Sequence, residues 1–259
     1  MNIVVLVKQV PDTWSERTLR PADSTLDRDA ADGVPNELDE YAIEEGLRLA
    51  EAHSGEVTIV SMGPDKASEV IRKALSMGGD KAIHINDEAL RGSDGLVTSA
   101  VLAAVLGRSP FDLVILGSES TDARMGTMAA MLAERLGLPQ MSFASKVETD
   151  GSKITIHRQA DYGYDTVEGT LPAVVSVVEK INEPRYPSFK GIMAAKKKPV
   201  ETLTLADLGF EPGQAGLGAS ATEVVSFAKR PPRAAGTIVT DDGDGGVKAA
   251  EFLAARKFI

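Results

Sequence analysis

The sequence contains no cysteine in 259 residues. Disulfides, thiolate zinc sites, iron–sulfur ligation and a Cys nucleophile are therefore excluded. Histidine is almost as scarce. His53, His84 and His157 are too few and too scattered for a His-rich metal site. Basic charge is also in deficit: 28 Lys and Arg face 38 Asp and Glu, a net charge of −10. No long basic stripe offsets that average, so a nucleic-acid partner is not expected. No run reaches the roughly 18 apolar residues of a membrane span. The N-terminus opens directly on the strand-like run Asn2 to Val7, without a basic segment, a longer apolar stretch and a small-residue cleavage site. It does not read as a signal peptide, and a cytoplasmic location is expected. Internal repeats, a G-x-G-x-x-G fingerprint and a P-loop are all missing. So are a Ser/His/Asp set and paired carboxylates in a recognisable context, and no catalytic residue is expected.

What is present is an alternation of apolar runs and amphipathic segments. Ile3 to Val7, Val57 to Met62, Lys81 to Ile85 and Leu113 to Leu116 read as strands. Glu37 to Ala52, Asp65 to Met77, Ser93 to Leu106 and Arg124 to Leu136 read as the helices that follow them, with Asp65 placed as a cap. Solid apolar strands each followed by a helix predict an α/β fold with a mostly parallel, nucleotide-binding-like sheet covered on both faces. Such sheets bind ligands at the carboxyl ends of their strands. Those ends are Val7-Lys8-Gln9, Ser61-Met62-Gly63 and Gly117-Ser118-Glu119. Lys146 to Glu148, Lys153 to Arg158 and Ala173 to Val178 read as further strands that close one sheet edge, with Asp150-Gly151 as a hairpin turn. A domain over residues 1–199 is expected, followed by an extended C-terminal arm over 200–259.

Polar residues near the strand ends admit two readings. The Gly117 to Thr127 loop joins a strand to a helix and could cradle a phosphate, or be an ordinary capped loop. Lys8 could pair with a phosphate or be a solvated edge lysine. Asp12, Asp39 and Glu40 could serve a site; for Asp39 and Glu40, helix capping and a solvated face are the stronger reading. His157 reads as a strand filler rather than a base. In the stretch from Asn182 to Lys198, Phe189, Ile192 and Met193 are either core residues or an exposed apolar anchor beside a basic run.

Several stretches together resemble one family over nearly the whole chain. They are Lys8-Gln9-Val10-Pro11-Asp12-Thr13, Ala42-Ile43-Glu44-Glu45, Arg72 to Gly78 and the Gly117 to Thr127 loop. The most specific block runs from Arg158 to Val177, with Asp161, Gly163, Glu168 and Leu171-Pro172-Ala173-Val174-Val175. It continues through Asn182-Glu183-Pro184-Arg185-Tyr186 and Ile192-Met193 to Lys198. The chain resembles the β subunit of electron transfer flavoprotein.

The resemblance implies a heterodimer whose α subunit holds most of a redox-active FAD, and often a structural AMP in the β subunit. The AMP site maps to Leu6, Lys8, Asn36, Asp39, Met62, Gly63, Gly117, Ser118, Ser120, Asp122, Gly126 and Thr127. The flavin edge maps to Thr13 and Leu38, aromatic in some members. A recognition loop at 183–198 would dock on acyl-CoA and other dehydrogenases through Tyr186, Phe189, Ile192 and Met193. The arm would reach over the α subunit. Electrons would pass to the respiratory chain. Gln159 stands where some relatives carry an acid, and Arg124 is unusual in its loop. Two alternatives remain at this point: a bifurcating form with a second FAD in place of AMP, and a non-redox adenine-nucleotide sensor. The eroded Asp-rich loop favours AMP.

Overall fold

The computed structural model describes residues 1–233, 235–236 and 238–259. The strands are β1 (Asn2–Leu6), β2 (Gln9–Pro11), β3 (Gly33–Pro35), β4 (Glu56–Met62), β5 (Lys81–Ile85), β6 (Leu113–Gly117), β7 (Gln140–Thr149), β8 (Lys153–Ala160), β9 (Gly163–Thr170), β10 (Ala173–Val177) and β11 (Val200–Leu203). The helices are α1 (Glu37–Ala52), α2 (Ser68–Met77), α3 (Gly95–Leu106), α4 (Met128–Leu136), α5 (Phe189–Ala195) and α6 (Gly245–Ala255). Nine strands form one sheet in the order β11-β5-β4-β1-β6-β10-β7-β8-β9. It is parallel from β11 through β7 and antiparallel at β8 and β9. The expected α/β class with a mostly parallel sheet is what the chain adopts.

Burial explains the layering. The central strands β6 and β10 are buried along their full length, as parallel strands covered on both faces must be. Alternate residues of β1 and β4 face opposite ways. Ile3, Val5, Val57 and Ile59 pack with Ile43, Leu47, Ile71 and Leu75 of α1 and α2. Leu6, Val60 and Val114 pack with Val101, Val105 and Leu132 of α3 and α4. Each such fully buried aliphatic side chain contributes about 1.5–3 kcal/mol.

Element boundaries follow local chemistry. Asp94 caps α3, its carboxylate accepting from the Val97 N–H at 3.0 Å. Asp65 does not cap α2. It opens a short 3₁₀ turn with no side-chain cap, and its carboxylate accepts from Asn86. The expected helix from Arg124 begins only at Met128, because Arg124 (φ 49°) and Gly126 (φ 65°) sit in the left-handed region and hold an open loop. The strand-rich middle does close one sheet edge, but β10 is inserted in the interior between β6 and β7. The hairpin partner β9 was not anticipated. Its Gly-Tyr-Asp-Thr-Val-Glu-Gly-Thr is mostly exposed on the edge and lacks a buried face.

The chain does not lose compactness at Pro199. β11 pairs with β5 in parallel and extends the opposite sheet edge. The compact unit runs from Met1 to Val224, and Val225–Ile259, with α6, is a separate unit. A single lysine joins α2 to the segment before β11. Lys198 Nζ donates to the carbonyls of Leu75 (2.9 Å), Gly78 (3.2 Å) and Gly79 (2.6 Å), which the helix end leaves unpaired. Lys198→Met strands these acceptors. It is expected to lower urea-unfolding stability by about 2 kcal/mol.

Candidate functional site

The carboxyl ends of β1 and β6 meet the start of α1, and polar side chains fill the junction. Asn36 precedes α1 and is buried. Its Nδ2 donates to Asp39 Oδ1 (2.8 Å) and to the Glu119 carbonyl (3.0 Å), while its Oδ1 accepts from the Thr121 N–H (3.0 Å). Asp39 Oδ2 accepts the Lys8 N–H at 2.7 Å. One Asn–Asp pair thus ties α1 to the strand-one loop and to the loop after β6. Gly117 is required here: a Cβ on it would lie 2.6 Å from Asp39 Oδ1 and 2.7 Å from Leu38 Cβ.

A second, charged layer lies beside the first. Lys8 Nζ donates to Asp122 Oδ1 (2.8 Å) and Ser120 Oγ (3.2 Å). Arg28 donates to Asp122 Oδ2 (2.8 Å), and Arg17 to the Thr121 carbonyl. The Asp122 side chain is only 1% exposed. Burial works against its charge, yet Lys8 and Arg28 hold the carboxyl down at about 2. Burial lowers the Lys8 ammonium despite Asp122. Burial also pushes the Asp39 carboxyl up to about 7, against the N–H donors from Asn36, Lys8 and Gly117.

Half of the sequence-derived nucleotide set is brought together here. Lys8, Asn36, Asp39, Gly117, Ser120 and Asp122 form one hydrogen-bonded cluster. Leu6 ends β1, and Met62 and Gly63 end the adjoining β4. The Ser118 N–H is taken by the Val177 carbonyl of β10. Gly126 and Thr127 lie further along the loop, beyond Arg124, whose N–H donates back to the Ser120 carbonyl at 2.8 Å. Asp39 is not the solvated residue its position suggested; Glu40 is half-buried and pairs with Lys73 of α2. His157 fills β8 as expected, stacked on Tyr164 at 4.3 Å. Of the flavin-edge pair, Thr13 is exposed and Leu38 is half-buried against Gly117. Arg17 and Arg28 were missed in the sequence. Their targets lie 104 and 94 residues away, and no local pattern announces them.

The 183–198 segment forms a distinct feature. Ser188 caps α5 by accepting the Gly191 N–H at 3.0 Å. Gly191 presses on α2, where a Cβ would sit 2.4 Å from the Ser76 carbonyl oxygen, and Ala195 is buried. The other face is outward: Phe189 is 81% exposed and Tyr186 95%, with Ile192 and Met193 also exposed. The reading that buries Phe189, Ile192 and Met193 in the core is therefore set aside. Arg185 holds the segment's base by donating to both oxygens of buried Glu44 (2.8 and 3.0 Å) and to Glu51. Asn182 Nδ2 donates to the Tyr41 carbonyl and Glu45 Oε2, both at 3.0 Å. The Ala42-Ile43-Glu44-Glu45 stretch and the Asn182–Arg185 stretch are thus two halves of one clamp.

With this geometry in view, comparison with known proteins is direct. The profile of the electron transfer flavoprotein domain matches residues 23–208. A protein of Mycobacterium tuberculosis named electron transfer flavoprotein subunit beta is 52% identical over 264 residues, covering 100% of this chain and 99% of its own. The chain belongs to the electron transfer flavoprotein β-subunit family. A β subunit of Thermoanaerobacterium thermosaccharolyticum is 37% identical, covering 96% of this chain and 95% of its own. The caffeyl-CoA reductase-Etf complex subunit CarD of Acetobacterium woodii is 35% identical, over 93% and 92%. Family membership places the chain in electron transfer with a flavoprotein. Among the described residues no helix is long and apolar enough to cross a membrane, and no acidic or His cluster could hold a metal ion.

The charged layer carries a pH dependence. The Asp122 carboxyl lies at about 2 when folded against an ordinary 3.8, so the folded state prefers it ionised. That stability, about 2 kcal/mol, is fully present above about pH 5 and is lost as pH falls towards 2. Asp39 has the opposite sign: its contribution is full below 3.8 and is lost as pH rises through about 7. Urea titrations of the wild type and Asp122→Asn at several pH values should show the wild-type advantage shrinking as pH falls from about 5 to 2. An advantage that stays constant over that range would rule out an ionised Asp122 as its source.

Proposed function

We propose that this chain is the β subunit of a heterodimer that accepts electrons from dehydrogenases such as acyl-CoA dehydrogenases and passes them to the respiratory chain. An α subunit holds most of the FAD, which when bound supplies the electron-transfer chemistry. This chain contributes support, flavin-edge shielding near Thr13 and Leu38, and a docking face; none of its residues forms a bond or relays a proton. The separate unit from Val225 onward is the arm that grips the partner.

The observation that carries this reading is the outward face of α5. Phe189 is a large apolar side chain 81% exposed on a helix whose opposite face is fixed by Gly191, Ala195 and the Arg185 clamp. A rigid exposed anchor of this kind suits a protein partner.

We assign AMP to the strand-end site as a structural ligand. Two features support the fit. Thr121 Oγ1 is buried without a hydrogen-bond partner, and Lys8, Arg17 and Arg28 bring positive charge to the same loop of an otherwise acidic chain. Lys8 and the Ser120 and Thr121 hydroxyls would hold the phosphate, and Leu6 and Met62 the base side. The relative named as a subunit of a caffeyl-CoA reductase complex keeps a second reading in play, with a second FAD at that site.

Two measurements test these assignments. Nucleotides released by denaturing the purified heterodimer should be one FAD and one AMP; two FAD would replace the first reading with the second. Phe189→Ala should leave flavin content unchanged and weaken reduction by an acyl-CoA dehydrogenase, at a cost of about 2 kcal/mol in docking. Loss of flavin instead would make Phe189 a structural residue.

A further inference from the structure

Residues 12–32 leave the sheet through the β2–β3 ribbon and return beside it, with one internal bridge between Leu19 and Leu26. None of these residues is buried. The excursion is held down instead by charge, at points beyond the carboxyl ends of three strands. Arg17 and Arg28 reach the loop after β6, Asp29 pairs with Lys66 after β4 (3.2 Å), and Asp23 pairs with Arg91 after β5. Exposed pairs such as Lys66–Asp29 contribute little in water. The Arg28–Asp122 contact differs, because the carboxylate is almost wholly buried.

The charges at that contact do not balance. Lys8 and Arg28 share the Asp122 carboxylate, Asp39 is the other acid near Lys8, and Arg17 donates to a carbonyl rather than an acid. The buried, unpartnered Thr121 hydroxyl and the Ser120 hydroxyl bound to Lys8 lie in the same turn of loop. An arginine presents five N–H donors in a fixed fork, so Arg28 can keep Asp122 and the Gln9 carbonyl (3.4 Å) and still serve a second anion.

We propose that residues 12–32 are an ionic strap across the strand-end site, in which Arg28, assisted by Arg17, recognises the phosphate monoester of a bound nucleotide. The proposal rests on the assignment of a nucleotide to that site. The phosphate draws the strap down, and the strap in turn slows release of the nucleotide. A nucleoside without phosphate gains nothing from the strap. Because closure depends on charge rather than burial, salt loosens it.

The test uses the purified heterodimer and labelled AMP. In the wild type, chase with unlabelled AMP should release label slowly, and about 0.5 M KCl should speed release. Arg28→Gln should speed release about tenfold or more at low salt, as expected for loss of a charge-assisted hydrogen bond, with flavin absorbance unchanged. Arg28→Lys should fall between the two, and Arg17→Gln should give a smaller increase. Adenosine affinity should be the same in wild type and Arg28→Gln. Wild-type release rates in Arg28→Gln, or equal weakening of AMP and adenosine, would overturn the strap. A wild-type heterodimer that neither contains nor takes up AMP removes the AMP assignment itself, a result distinct from either.

Discussion

The junction where Asn36 and Asp39 meet the ends of β1 and β6 is the constraint on which the functional architecture depends. A parallel sheet leaves polar backbone at its carboxyl edge, and buried N–H groups there must be paired. Asp39 answers the Lys8 and Gly117 amides, and Asn36 answers the carbonyl and amide of the loop after β6. Removing one partner would leave the others buried and unpaired, which is the costly direction for a hydrogen-bonded network. The loop that carries Ser120, Thr121 and Asp122 is therefore positioned by Asn36 at the start of α1 together with Lys8, Arg17 and Arg28.

The same helix organises the second feature. The N-terminus of α1 sets the strand-end cluster, and its middle offers Glu44 and Glu45 to Arg185 and Asn182. Both carboxylates are buried, and burying a charge is tolerable only when it is paired and hydrogen-bonded. The hydrogen bonds that Arg185 donates to Glu44 and then Glu51 raise its guanidinium still further, so Arg185 stays charged at any physiological pH. The exposed face of α5 and the strand-end cluster are thus both tied to one helix.

Electrostatics divides the molecule unevenly. The chain is strongly acidic overall, yet Lys8, Arg17 and Arg28 converge on one loop, and Lys196 and Lys197 follow the exposed end of α5. Local positive charge on an acidic protein marks places where an anion or an acidic partner is favoured over the average surface.

Much of this was legible in the residues alone. Apolar runs such as Leu113 to Leu116 can satisfy their backbone only inside a covered parallel sheet, and α1 begins and ends where its acids and periodicity say. The family itself was legible because its motifs are spread along nearly the whole chain. Other features were decided only in three dimensions. β9 and β11 are too polar or too short to declare themselves, and they become strands because a neighbouring strand edge offers hydrogen bonds. The approach of Arg28 to Asp122, the burial of Glu44 under Arg185, and the outward aim of Phe189 each depend on residues about a hundred positions apart or on which helix face meets α2. Sequence periodicity reports what a segment buries against its own sheet; long-range polar pairing leaves no period, so only the folded chain reveals it.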